Sequence, residues 1–182
     1  MVGIISANLT FNKNHSVHGK INNASMWRRY DQASRGCHCG KVRFQAEADP
    51  WMVFQCNCMP CRRLLGTVAV FVVLDDSANV QFSGETAEHV AKGESGLPVR
   101  HYFCLVCGTM IHVEAYAYSM GGAGIILGAF DDPHQFEPEW ENYIELKLNW
   151  LLDNGCIKKS FSGQAGDEQL EWVVENYFAE DK

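Results

Sequence analysis

Gln55-Cys56-Asn57-Cys58-Met59-Pro60-Cys61-Arg62-Arg63 sets three thiols within six residues. Three cysteines this close cannot pair cleanly with one another. A disulfide needs Cα atoms several ångströms apart with converging Cβ directions, and one thiol would be left over. They can, however, all point at one metal ion. Thiolates suit zinc, whose tetrahedral shell takes four ligands, so a segment that supplies three leaves a position for water or substrate. That open position is the first candidate for chemistry.

On either side stand two cysteine pairs, each followed by glycine: Cys37-His38-Cys39-Gly40 and Cys104-Leu105-Val106-Cys107-Gly108. The glycine lets such a turn close while backbone N–H groups point at the sulfurs. Together the pairs supply four thiolates, a closed, structural shell. A four-plus-three division accounts for all the cysteines except Cys156, which sits in the turn Asp153-Asn154-Gly155-Cys156 and reads as a spare thiol. Three other readings stay open beside it. A disulfide framework belongs to small secreted chains. A lone C-x-x-C can be a redox motif, but here it ends the aromatic stretch His101-Tyr102-Phe103 instead of opening a helix. A single metal site with spare cysteines is the third.

Three further runs extend the pattern: Arg35-Gly36-Cys37-His38-Cys39-Gly40-Lys41-Val42-Arg43-Phe44, then Cys56-x-Cys58-x-x-Cys61-Arg62-Arg63-x-x-Gly66, then Tyr102-Phe103-Cys104-x-x-Cys107-Gly108-Thr109. With Gly128 to Pro133 and Lys147-x-x-Trp150, the stretch from Ala33 to Leu152 resembles the glutathione-dependent formaldehyde-activating enzyme family, which includes centromere protein V. The resemblance implies a mainly β, zinc-containing fold of the Mss4-like type, a β-tent of antiparallel sheets. It implies a structural zinc on Cys37, Cys39, Cys104 and Cys107 and a catalytic zinc on Cys56, Cys58 and Cys61, hence two zinc ions per chain. It also implies a lyase that makes or breaks carbon-sulfur bonds on a glutathione-type thiol adduct of formaldehyde. Pro60 departs from the family pattern by stiffening the three-cysteine turn and removing an N–H.

At 182 residues and 47% hydrophobic, the chain suits one domain with a proper core. The sequence divides into an N-terminal extension (1–32), the zinc domain (33–152) and a C-terminal extension with a helix (153–182). Net charge is −7, and ionising seven thiols while binding two zinc ions takes it to about −10. Such a surface repels phosphate backbones and argues against nucleic acid as a partner. Met1 to Leu9 reads as no secretory signal, and the longest apolar run, Val68 to Leu74, is far too short to span a bilayer. Reduced thiols then point to the cytoplasm. A homo-oligomer is compatible with all of this.

Alternation of apolar and polar residues predicts strands at Lys41 to Ala48 and Ile111 to Tyr118, and a buried strand at Thr67 to Leu74. Further strands are expected at Trp51 to Gln55, Val99 to Phe103 and Ile125 to Phe130. Val80 to Phe82 and Thr86 to Ala91 read as a pair, and Ser119 to Gly124 as a turn. Tyr143 to Trp150 favours strand over helix. A short helix is one reading of Asn23 to Ala33. In the tail, Asp167 caps a helix whose apolar stripe is Leu170, Val173, Val174 and Tyr177, packing on the sheet.

A zinc ion held by three thiolates is a poor Lewis acid, because each sulfur donates charge; it suits holding a substrate thiol better than making hydroxide. Arg62 and Arg63 could clamp substrate carboxylates. His38 and His101 read as neighbours of metal shells and not as catalysts. Tyr116, Tyr118, Trp140 and Tyr143 hint at a pocket for something larger and less polar than glutathione. A sulfur-free metabolite, or a non-catalytic zinc scaffold, is the rival to the lyase reading.

Overall fold

A computed structural model describes residues 3–5, 35–46, 52–76, 79–115, 122–151, 155–163 and 167–178. The helix expected at Asn23 to Ala33, and Tyr116 and Tyr118, lie outside them. The fold is mainly β with a short C-terminal helix. The strands, in chain order, are β1 (Gly3–Ile5), β2 (Arg35–Gly36), β3 (Arg43–Ala46), β4 (Met52–Cys56), β5 (Val70–Asp76), β6 (Val80–Ser83), β7 (Thr86–Lys92), β8 (Pro98–Cys104), β9 (Met110–Ala115), β10 (Gly122–Ile126), β11 (Trp140–Asn142) and β12 (Lys159–Phe161). The helices are α1 (Met59–Leu65) and α2 (Asp167–Val173).

A nine-stranded sheet has the order β1-β7-β8-β9-β10-β5-β4-β11-β12, and a three-stranded sheet the order β2-β3-β6. The ladders are antiparallel except those of β11, which runs parallel to both β4 and β12. β4 and β5 are buried on both faces, which is why their sequences are almost continuously apolar and do not alternate. From one face of the large sheet, Val53, Val73 and Ile125 meet Val42, Phe44 and Val80 of the small one. From the other, Met52, Phe54, Val72 and Leu74 join Trp140, Phe161 and Val173 of the C-terminal segments. Between the sheets, His112 is stacked at 4.2 Å on Tyr102 and at 4.1 Å on Phe82.

Several elements differ from expectation. β6 and β7 do not pair with each other: β6 pairs with β3 and β7 with β8, so the chain changes sheets at Gly84. The glycine-rich stretch is not all turn, for Gly122–Ile126 is a fully buried strand between β9 and β5. Ala123 and Ile125 fill the intersheet core, while Gly124 lets Val113 and Val72 close over it. After β10 the chain forms a 3₁₀ turn at Leu127–Ala129 instead of continuing as a strand.

Tyr143 to Trp150 is not a strand either. Tyr143 takes a left-handed conformation (φ 57°) that ends β11, and a 3₁₀ turn follows at Ile144–Leu146, leaving Trp150 65% exposed. The tail helix forms, but its buried face is Gln169, Trp172, Val173 and Tyr177, whereas Leu170 and Val174 face solvent. Trp172 sets that phase by packing edge-on against Phe161, and a π turn at Val174–Phe178 resets the period beyond it.

Candidate metal centres and the cavity above them

The first and third cysteine motifs come together from different sheets. Cys37 and Cys39 sit in the turn between β2 and β3, Cys104 ends β8, and Cys107 sits in the turn that leads to β9; the four sulfurs lie within 4.8 Å of one another. The two turns share a design. Gly40 and Gly108 hold left-handed φ of 75° and 73°, each donating its N–H to the carbonyl of the motif's first cysteine, at 3.0 and 2.9 Å. A side chain would be strained in that conformation. Val42 N–H reaches Cys37 Sγ at 3.2 Å, and Thr109's hydroxyl and backbone N–H hold the Cys107 thiol down to about 5.

The middle motif is built around a helix and not the turn expected of it. Cys58 is the N-cap of α1, its sulfur accepting from Cys61 N–H at 3.3 Å; Pro60 occupies the first turn, where its missing N–H costs nothing; Gly66 closes the C-terminus. Proline after a capping residue, with glycine six positions on, was the available signal. Cys56 arrives at the end of β4, and the three sulfurs again lie within 4.8 Å. Hydrogen bonds from Cys56 and Cys61 draw Cys58 down to about 3, while the bond to Cys58 pushes Cys56 up to about 12 and Cys61 is raised as well.

The spacings also test metal binding. Zinc-sulfur bonds of about 2.3 Å in a tetrahedron put sulfurs about 3.8 Å apart. The observed separations are 3.5 Å for Cys37–Cys39, 3.7 Å for Cys39–Cys104 and 3.8 Å for Cys56–Cys61, all far too long for disulfides. Both clusters could hold metal ions, and the all-sulfur donor set is consistent with zinc. Cys156 belongs to neither.

A buried polar network that the sequence did not reveal holds the middle motif. Asn57, between two of the cysteines and wholly buried, donates from Nδ2 to Glu141 Oε2 at 3.2 Å and to Asn142 O at 3.0 Å. Gln55 Nε2 bridges Asn57 Oδ1 (2.8 Å) and Glu141. Glu141, 2% exposed, also accepts from Ser160 Oγ at 2.9 Å and pairs with Lys147 Nζ at 3.2 Å. The parallel register of β11 on β4, which sets Glu141 beside Gln55 and Asn142 beside Cys56, creates this arrangement. Nothing in a short W-E-N stretch announces it.

Cys56, Cys58 and Cys61 open onto a cavity of about 420 Å³, and none of the other four clustered cysteines lines it. Its walls also include Phe54, Val72, His101, Trp140 and Tyr143. His101 thus faces the middle motif and not the third; burial lowers its pKa. Tyr143 is tied across the cavity by its hydroxyl to Glu94 at 2.6 Å, and burial raises its pKa. Gln169 brings α2 into the wall. Neither Arg62 nor Arg63 is part of it: Arg62 donates to Leu146 O at 2.9 Å, and Arg63 is exposed. His38 lies in the four-cysteine turn, its N–H on Thr109 Oγ1 at 3.2 Å.

Among the described residues no helix is long and apolar enough to cross a membrane. No curated protein matches the chain. A solved Rhodobacter sphaeroides protein from a structural-genomics programme is similar at 19% identity over 54% of this chain and 88% of its own, with a TM-score of 0.42. Residues 32–146, more than half of the sequence and all seven clustered cysteines, match the model of the glutathione-dependent formaldehyde-activating enzymes, and the chain belongs to that family.

Proposed function

We propose that the protein is a zinc-dependent lyase of its family, acting on a thiol adduct of an aldehyde or related electrophile. Cys37, Cys39, Cys104 and Cys107 would hold a structural zinc; Cys56, Cys58 and Cys61 would hold a catalytic one. The observation that carries this reading is that all three thiols of this cluster line one cavity of about 420 Å³, whereas of the four-cysteine cluster only Cys37 reaches a pocket, a smaller one of about 340 Å³. Zinc bound there would supply an open position that lowers the pKa of an entering thiol. In the synthetic direction the S–H bond breaks, sulfur bonds to the carbonyl carbon, and the proton ends on the carbonyl oxygen; cleavage is the reverse. The chain's own groups shape the site for this. Asn57, anchored on Glu141, fixes the loop between Cys56 and Cys58, and Cys61 N–H favours negative charge on Cys58. Phe54, Val72 and Trp140 keep water from the reacting atoms.

Elemental analysis of the purified protein should find two zinc ions per chain, unchanged in Cys156→Ser. One ion, or iron in place of zinc, would break the four-plus-three division. Activity is tested by exchange NMR on thiols mixed with formaldehyde, glutathione first and bulkier thiols next. The zinc-loaded protein should speed hemithioacetal interconversion, and Cys58→Ser should remove the gain. If no thiol adduct exchanges faster with protein than without it, the lyase reading is wrong.

A further inference from the structure

We infer that the thiol handled at the three-cysteine site carries an aromatic body, and that the cavity is built to exclude a peptide thiol such as glutathione. The inference rests on the lyase reading for its reactive end, and on the cavity itself for the rest.

The walls are the first ground. Ala91, Val99 and Ala115 are register partners across β7, β8 and β9, and all three line the cavity as a row of small and medium apolar side chains. Phe54 and Trp140, stacked at 4.7 Å, line it from β4 and β11. Charge is scarce in between. Apart from the cysteines and His101, Lys92 and Glu94 are the acidic and basic side chains of the lining; both are exposed, and Glu94 already accepts from Tyr143. Glutathione carries two carboxylates and an ammonium. Burying a carboxylate without a partner costs several kcal/mol, and Lys92 at the rim could meet only one.

Size is the second ground. An apolar cavity of about 150 Å³ is enough for benzene. At about 420 Å³ this one accommodates a fused aromatic group with its sulfur directed at the cysteines, within the usual range for small-molecule sites. Flat rings suit a lining that includes Phe54, Trp140 and Tyr143 better than a flexible tripeptide does. Met59 and Leu146, about 40% exposed each, extend the apolar surface to the rim.

The test titrates zinc-loaded protein calorimetrically with naphthylmethanethiol, glutathione and the sulfur-free naphthylmethanol. Naphthylmethanethiol should bind at least tenfold more tightly than glutathione. Filling the cavity by Ala115→Phe, or independently by Ala91→Phe, should weaken it tenfold or more, with zinc content and melting temperature as folding controls. Glutathione binding as tightly as the aryl thiol, or aryl binding indifferent to both filled variants, overturns the inference. In either case weakening of thiol binding by Cys58→Ser shows that the lyase reading survives. If thiol affinity ignores Cys58→Ser, the thiol reading fails instead, and naphthylmethanol decides the cavity: binding that Ala115→Phe weakens sustains an aromatic ligand, and no binding refutes it.

Discussion

Cys104→Ser should leave no cooperative thermal transition, whereas Cys61→Ser should melt within a few degrees of the parent protein and lack one metal ion. The contrast follows from where the sulfurs stand in the chain. The four-cysteine cluster joins the turn after β2, in the small sheet, to the turn after β8, in the large one, and its closest contact across the sheets links residues 65 apart in sequence. A metal ion there closes a long loop and clasps two sheets that otherwise meet mainly through apolar packing, with the His38–Thr109 hydrogen bond beside the cluster. Structural zinc in small modules contributes on the order of 10 kcal/mol, comparable with the whole stability of an ordinary domain. The other cluster draws all its sulfurs from a single six-residue segment, already held by β4, α1 and the Glu141 network. Its metal crosslinks nothing distant, and Cys61 is only half buried, so a serine there leaves no costly orphan. Thermal melts followed by circular dichroism, with zinc measured on the same samples, decide the matter. Equal loss of stability in both variants would mean that both clusters are structural, and the protein a scaffold.

The features legible in the sequence were those whose cause is local. A C-x-C-G or C-x-x-C-G turn carries its glycine and its thiols within five residues, so the spacing alone identifies the loop. Alternation at Arg43–Ala46 marks a strand with one covered face, and at Met110–Ala115 it marks the strand but not its faces, because His112 on the polar side is buried between the sheets. Illegible features depend on partners far away. β4 and β5 are covered on both sides, which erases the alternation that would show which face is which. β6 and β7 adjoin in sequence but belong to different sheets, and no local rule says so. The phase of α2 is set by Trp172 against Phe161, a tertiary contact that outweighs the apolar pattern of Leu170 and Val174. Helix α1 is a case between these: its cap, proline and terminal glycine are local, but a cysteine serving at once as helix cap and as metal-ligand candidate hides the signal. Glu141 and Asn57 are the costliest omissions, since each looks ordinary until the parallel pairing of β11 with β4 puts them side by side.

That pairing leads to the second large effect. Lys147→Met should destabilise the protein by about 3–5 kcal/mol, because it leaves Glu141 as a buried carboxylate whose cation is gone. Glu141→Gln should cost less in stability: its amide keeps the shape, and Lys147, partly exposed, can turn toward water. The double variant should recover much of the loss seen in Lys147→Met, since the unpaired charge is then absent, and a double-mutant cycle reads that coupling directly. A merely structural network would show no more than this. Glu141, however, accepts from Asn57 inside the three-cysteine loop, and a glutamine amide cannot accept from Asn57, Gln55 and Ser160 as a carboxylate does. Groups that orient metal ligands from behind typically change metal affinity by about 10- to 100-fold when altered. Glu141→Gln should therefore weaken the metal of the three-cysteine cluster by that order in a chelator competition, while the four-cysteine metal is retained. If both metals resist the chelator as they do in the parent protein, Glu141 only braces the sheet, and the loop is positioned by β4 and α1 alone.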